Sequence, residues 1–308
     1  MRVLVTGGAG FIGSHLVDRL VNTGHDVIVL DNFSTGKREN ILDSQRRQNF
    51  RLLKEDIRKI RGSLARKVGR VDGICHLAAV TSVQQSVRDP VFTTDVNVVG
   101  TLNVLDVAKM VKAQRVVFAS SAAVYGIPQM FPISESANVS PISPYGASKA
   151  ACEHYLGSFE ANHGVESLSL RLFNVYGPRQ TANQYAGVIS IFAKRALHRK
   201  TLQIYGDGSQ TRDFVFVSDV VDAIVAARER RLKSRVLNIA SGNEVSILDL
   251  ARKVQEIAGT KSELMFHPLP SGDITRSVAD VTKARDELGF VARTSLRDGL
   301  AATLQWFR

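Results

Sequence analysis

Residues 2–13 read Arg-Val-Leu-Val-Thr-Gly-Gly-Ala-Gly-Phe-Ile-Gly, and the order of residue types in this stretch decides the fold. A short apolar run leads into a glycine-rich turn, after which Ile12, Leu16 and Leu20 recur at helical spacing. Strand, turn and helix therefore follow one another directly. Gly7, Gly10 and Gly13 stand in the turn at GxxGxxG spacing. Glycine is needed there because the chain turns tightly, its backbone must come close to a bound diphosphate, and the helix N-terminus offers unpaired N–H groups to that charge. Asp31 closes the next apolar run, 18 residues after Gly13, where a carboxylate accepts hydrogen bonds from adenosine ribose hydroxyls. That carboxylate would repel a 2′-phosphate, so the expected cofactor is NAD rather than NADP, although Lys37 and Arg38 lie nearby.

Working outward, apolar runs at 27–30, 50–53, 73–77, 115–119 and 167–172 alternate with helical segments. Such alternation predicts an α/β fold whose parallel sheet is covered on both faces, a doubly wound sheet. After Gly177-Pro178 the rhythm becomes mixed, with a helix near 188–197, a Gly-Asp-Gly turn at 206–208 and a strand near 214–217. A strand at 236–239 is expected to return to the main sheet. The expected division is residues 1–177 for the nucleotide domain and 178–308 mainly for a smaller, interleaved substrate domain.

The chain has 308 residues, 44% hydrophobic and 22% charged, which excludes a disordered, collagenous or disulfide-stapled protein. No apolar run is long enough for a secretory core or a membrane span, and the two cysteines, Cys75 and Cys152, read as reduced core thiols. A cytoplasmic protein is expected. Forty Lys and Arg against 29 Asp and Glu give a net charge of +11, compatible with an anionic substrate or with nucleic acid. The basic residues lie along amphipathic segments without interleaved aromatics, which favours solvated helix faces over a nucleic-acid surface. No HExxH, CxxC or clustered His/Asp set occurs, so no metal is expected.

Tyr145 and Lys149 are four apart in a helical segment and share one face. With the glycine turn they complete a pattern: GGAGFIG at 7, DNFSTGKREN at 31, EDI at 55, HLAA at 76, NVVGTLNVL at 97, FASSAAVYG at 118, SPYGASK at 143, RLFNVYGPRQ at 171, IYGDGSQTRDFVFVSDV at 204 and GDITRSVAD at 272. In these stretches the chain resembles the extended branch of the short-chain dehydrogenase/reductases, and within it the UDP-hexose 4-epimerases. The resemblance implies a Rossmann-type nucleotide domain and epimerisation of a UDP-hexose at C4 through a 4-keto intermediate, with transient reduction of bound NAD.

It also implies roles. Tyr145 would be the general base on the 4-hydroxyl, Lys149 would hold the nicotinamide ribose, and Ser121 would bridge hydroxyl and tyrosine, with Ser120 the alternative. Lowering a tyrosine from a pKa near 10 to near 7 takes about 4 kcal/mol, assigned here to the Lys149 ammonium and the nicotinamide charge together. Asn97 is either a helix-bending residue near the site or a satisfied turn residue. NAD would be held by Gly7, Gly10, Phe11, Ile12, Gly13, Asp31, Asn32, Ser34, Gly36, Asp56, Ile57, Leu77, Ala78, Ala79, Tyr145 and Lys149. Asn174 and Arg212 would bind the diphosphate, Val188, Gln203 and Tyr205 the uracil and its ribose, and Asp273 a ribose hydroxyl. A homodimer through the helices bearing Asn97 and Tyr145 is implied as well.

Three departures from the family refine the expectation. Ala122 and Ala123 stand where dehydratases carry Asp-Glu and decarboxylases a Glu, leaving oxidation and reduction at C4 as the chemistry. Pro270 replaces a diphosphate-clamping arginine, for which Arg276 is a candidate substitute. Ser277 replaces a bulky tyrosine, leaving room beside C2 for an acetamido group. The open alternatives are a UDP-glucuronate 4-epimerase, a nucleotide-sugar reductase or dehydrogenase, and a non-catalytic NAD-binding protein that contacts RNA.

Overall fold

The computed structural model describes residues 1–181, 187–230, 232–269 and 274–308. Twelve strands are seen among them: β1 (Arg2–Thr6), β2 (Asp26–Leu30), β3 (Phe50–Leu53), β4 (Gly73–His76), β5 (Arg115–Ser121), β6 (Glu166–Leu172), β7 (Asn174–Tyr176), β8 (Leu202–Tyr205), β9 (Thr211–Phe216), β10 (Val236–Ile239), β11 (Glu244–Ser246) and β12 (Leu264–His267). Seven form one sheet in the order β10-β6-β5-β4-β1-β2-β3. β1 runs parallel to β2 and β4, β2 to β3, and β4 to β5. The doubly wound α/β fold expected from the alternation is therefore the one adopted. Its strands are apolar because both faces are covered: Val3, Leu4, Val5, Val27, Ile28 and Val29 are fully buried.

The strand order reverses at β1. Successive strands run outward on one side to β3 and on the other from β4 to β6, so the loops after β1 and β4 diverge to opposite faces and leave a crevice at the carboxyl ends of the strands. The glycine turn follows β1, Asp31 follows β2, Leu77–Ala79 follow β4, and Ser121 ends β5.

By contact clustering the chain divides into two compact units. The first comprises residues 1–126, 138–171 and 221–237 and holds most of the large sheet. The second comprises 127–137, 172–220 and 238–308. In it β9 pairs in parallel with β7 and antiparallel with β11, and β8 pairs in parallel with β12. The helices Val188–Leu197, Ile247–Ala258 and Leu296–Phe307 turn Phe192, Leu250 and Leu300 into this unit's own core. Among the described residues no helix is long and apolar enough to cross a membrane.

Candidate active site

The cradle after β1 is closed to any residue with a side chain. Gly7 has φ +70°, and a Cβ there would lie 2.7 Å from the Ala78 nitrogen. A Cβ on Gly13 would lie 2.1 Å from the Gly7 carbonyl oxygen. Gly10 stands in extended conformation at the N-terminus of the Phe11–Asn22 helix with no side-chain cap. Phe11, Ile12 and Gly13 thus open a helix whose first-turn N–H groups are left to a ligand, and the positive end of the helix dipole adds to their pull on an anion. Space, backbone donors and dipole together fit the diphosphate of a dinucleotide.

Asp31 is buried, and its two carboxylate oxygens accept from Ala9 N at 2.9 Å and Phe33 N at 2.8 Å. It is tied to the glycine turn itself. A Cβ on Gly36 would meet Ala9 Cβ at 2.9 Å and Asp31 Oδ1 at 3.0 Å, so the following loop also closes on this carboxylate through glycine. Asn32 accepts from Ser34 N and donates to Asp56 Oδ2 at 3.2 Å. Asp56 caps the turn Ile57–Lys59 and binds the Arg58 fork, which holds its carboxyl at about 2. Arg58, which sequence reading passed over, reaches on to Asp95. The Ile57 side chain lies in the core against Gly100, and its carbonyl accepts from Asn103 at 2.9 Å, so only its remaining backbone is left to face an adenine.

Leu77 N donates to Thr6 O, and Ala78 N to Thr6 Oγ1. Behind them the buried His76 lies between Thr6 Oγ1, 2.6 Å from Nδ1, and Thr101 Oγ1, 2.9 Å from Nε2. Thr101 spends its own proton on the Asn97 carbonyl, so Nε2 is the imidazole donor and Nδ1 the acceptor. Burial first, and then the Lys149 charge, push His76 down to about 3, which keeps it neutral. Asn97 lies in a single π-helical turn, Asp95–Val99. That turn frees its carbonyl for Thr101 and Cys152, while its side chain exchanges two hydrogen bonds with the Val80 backbone and donates to Ser148. Both sequence readings of Asn97 apply: it bends the helix, and it is satisfied.

The reacting group stands on the helix Pro144–His163, started by Ser143, which accepts from Gly146 N, and by Pro144 in the first turn. A Cβ on Gly146 would lie 2.5 Å from the Ala123 carbonyl, so glycine permits the close packing of this helix on the turn after β5. Ser121 ends β5 beside Tyr145, its Oγ accepting from Ala123 N at 3.1 Å, whereas Ser120 is buried and donates to Glu153 at 2.5 Å. Lys149 is buried, donates to the Ala119 carbonyl at 2.8 Å, and holds its Nζ 4.6 Å from the Phe118 ring centroid and 5.9 Å from that of Tyr145.

The electrostatics differ from the sequence expectation. Burial raises the Tyr145 hydroxyl, and the influence that opposes it is the hydrogen bond from Ser121, not Lys149. Burial also lowers Lys149 to about 8, against the charges of Cys152 and Glu153. The lysine is engaged with a carbonyl and an aromatic face, so the lowering assigned to it from sequence is not present in this geometry.

In the second unit Asn174 donates to the Asp213 carbonyl at 3.0 Å, and Arg212 donates to the carbonyls of Thr211 and Ile274 at 2.9 and 2.6 Å. Val188 is half-buried at the start of its helix. Gln203 and Tyr205 share the exposed face of β8, with the Tyr205 ring 5.5 Å from that of His267. Ser277 is buried. Pro270 and Asp273 lie outside the described residues. Arg276, the candidate substitute for a diphosphate arginine, instead forms a bidentate pair with Glu244 at 2.9 and 2.8 Å and stacks on Phe131. Asp213, which in the sequence reads with Arg212 as a possible surface ion pair, is fully buried instead: it accepts from Ser241, Gly242 and Ala279 and ties three segments together.

Known proteins match this arrangement over its whole length. The model of the NAD dependent epimerase/dehydratase family matches residues 3–240. A UDP-glucose 4-epimerase of Mycolicibacterium smegmatis is 43% identical, covering 100% of this chain and 99% of its own. A UDP-N-acetylglucosamine 4-epimerase from Methanobrevibacter ruminantium, solved with UDP-N-acetylmuramic acid, has a TM-score of 0.94 and 36% identity, covering 99% of this chain and 97% of its own. A UDP-glucuronic acid 4-epimerase from Bacillus cereus, solved with UDP-glucuronic acid and NAD, has a TM-score of 0.91 and 33% identity, covering 100% and 99%. On sequence and structure alike, this chain belongs to the NAD dependent epimerase/dehydratase family.

Proposed function

We propose that this protein is an NAD-dependent 4-epimerase of a UDP-hexose. The observation that carries the reading is the set Ser121, Tyr145 and Lys149, with Lys149 Nζ 5.9 Å from the Tyr145 ring centroid and Ser121 at the end of β5, at the same carboxyl ends of the sheet as the glycine cradle. When bound, NAD supplies a reversible two-electron acceptor for C4 of the sugar. Tyr145 takes the proton of the 4-hydroxyl as the sugar passes to its 4-keto form, and returns it when C4 is reduced from the other face. Ser121 fixes the tyrosine hydroxyl and passes the proton. Lys149 holds the nicotinamide ribose. Asp31 selects the adenosine ribose, and the first-turn amides of residues 11–13 take the diphosphate of the cofactor.

Ala122 and Ala123 begin the turn after β5 and offer no acid or base there, which supports redox chemistry at C4 without elimination or decarboxylation. In the second unit, Asn174 and Arg212 are assigned to the substrate diphosphate, and Val188, Gln203 and Tyr205, with Asp273, to the uridine. We assign Ser277 to the space beside C2 of the sugar. Exposed Val87, Val91, Val99 and Tyr155, on the helices flanking and including Pro144–His163, support a homodimer formed through that face. Free, buried Cys75 and Cys152 support a cytoplasmic location.

The test is proton NMR of the anomeric signals after incubation, without added cofactor, with UDP-glucose, UDP-N-acetylglucosamine and UDP-glucuronate in separate tubes. Appearance of a galacto epimer is expected in the first or second tube and shows that NAD travels with the protein. An epimer only in the third favours the uronate reading, which the Bacillus cereus similarity keeps in play. No epimer in any tube, with NAD added, rejects the proposal.

A further inference from the structure

Outside the groups assigned to the reaction, the first unit buries a further pair of charges beside the reacting helix face. Glu153 and Arg171 form an ion pair with side chains only 8% and 5% exposed. Arg171 Nη2 donates to Glu153 Oε2 at 2.7 Å, and Nε to Oε1 at 3.0 Å. Ser120 donates to the same Oε1 at 2.5 Å, and the Arg171 guanidinium lies 4.7 Å over the Tyr125 ring. Isolated buried ion pairs seldom add stability over apolar packing, so the position of this one calls for a physical reason. Two features supply it. Glu153 follows Tyr145 and Lys149 at successive intervals of four on one helix, hence on one face. The residue it holds on β5, Ser120, is the neighbour of Ser121.

We infer that Glu153 is a positioning residue of the reacting site: its carboxylate anchors Ser120, and so holds the end of β5 on which Ser121 stands beside Tyr145, while placing a buried carboxylate one turn from the Lys149 ammonium. Arg171 holds the carboxylate in place. The inference rests on the epimerase reading for its catalytic consequence and on the geometry alone for its electrostatic one. The titratable groups that face Lys149 among the described residues are Tyr145, Cys152 and Glu153 from its own helix and His76 from β4. Among these groups Glu153 is the carboxylate, itself paired with the Arg171 guanidinium. Its removal disfavours the ammonium.

Three variants of the NAD-loaded protein test this. In Glu153→Gln the acceptor for Ser120 remains and the charge is lost; in Glu153→Gln combined with Arg171→Met both buried charges go, so that a lone guanidinium does not prevent folding. The Lys149 ε-carbon, followed by NMR in protein carrying ¹³C-lysine and identified with Lys149→Arg, should titrate about one pH unit lower in Glu153→Gln and less far down in the double variant, where the opposing guanidinium is gone as well. The alkaline limb of kcat/KM should move down with it. In Ser120→Ala the titration should stay in place while kcat falls about tenfold or more, because the strand end is no longer anchored. An unchanged Lys149 titration in both Gln variants overturns the electrostatic role, and an unchanged kcat in Ser120→Ala overturns the positioning role. If the parent protein turns over no UDP-hexose, the functional reading fails instead, and the NMR titration still decides the role of Glu153.

Discussion

Replacing Lys149 by methionine should stabilise the cofactor-free protein at neutral pH while abolishing turnover. Lys149 is 3% exposed, and burial lowers it from 10.5 to about 8. At about 1.4 kcal/mol per pH unit, keeping this ammonium in the folded chain at pH 7 costs about 3 kcal/mol. Methionine is close in shape and removes that cost, but it also removes the donor to the Ala119 carbonyl, worth about 1 kcal/mol. The net gain is about 2 kcal/mol at pH 7, or about 5 °C in melting temperature. The sign of the pH dependence follows from the depressed value. Between pH 8 and 10.5 the unfolded chain binds more protons at this site than the folded one, so the parent protein gains stability as pH rises through that window and the variant does not. The advantage of the variant should therefore shrink to about zero near pH 9.5, where the remaining charge cost and the lost hydrogen bond balance. Thermal unfolding of both proteins stripped of NAD, at pH 7 and pH 9.5, measures this directly. A variant less stable than its parent at pH 7, or an equal difference at the two pH values, refutes the reasoning. The same variant, given NAD, should lose on the order of 10² to 10⁴ in kcat, because the base it helps to orient is left unassisted.

Gly13→Ala places a Cβ 2.1 Å from the Gly7 carbonyl, so the turn must open. Bound NAD, released by acid and read by absorbance, should fall from near one per chain to below about a tenth, with stability reduced by about 1 to 3 kcal/mol; full retention of NAD would contradict the cradle described above. Ser277→Tyr should remove turnover of UDP-N-acetylglucosamine and leave that of UDP-glucose, as read by NMR of the anomeric protons. Loss of both activities, or of neither, removes Ser277 from the sugar site.

What could be read in the sequence is what chemistry ties to a residue type at a fixed local spacing. The glycine turn allows no other residue at Gly7 and Gly13, and its place between strand and helix follows from apolar periodicity alone. Tyr145 and Lys149 are visible as a pair because a helix brings residues four apart onto one face. Less legible were the strands β7, β8, β11 and β12 of the second unit, three or four residues each and outside the regular alternation with helices that marks the equally short β3 and β4. Arg276 shows a further limit. Its partner Glu244 is 32 residues away, and no local pattern announces that its fork is already engaged. Asp213, read as a surface ion pair, and Arg58 were missed for the same reason, since their partners are assembled by the fold. The charge state around Tyr145 was legible only in part, because proximity in sequence does not say that Lys149 would turn to a backbone carbonyl and an aromatic face.

The end of β5 explains why the reacting set is so well encoded. Ser120 and Ser121 are the last two residues of β5, where the chain leaves the strand for the turn Ala122–Tyr125. The helix Pro144–His163 returns a side chain to the same face every fourth residue, so Tyr145, Lys149 and Glu153 line one stripe. Held close by Gly146 on the Ala123 carbonyl, the helix sets Glu153 at Ser120 and Tyr145 beside Ser121. The proton-handling pair and the buried ion pair therefore come from the same registration, which makes the spacing Tyr145, Lys149, Glu153 against Ser120-Ser121 a single unit of sequence rather than two coincident motifs.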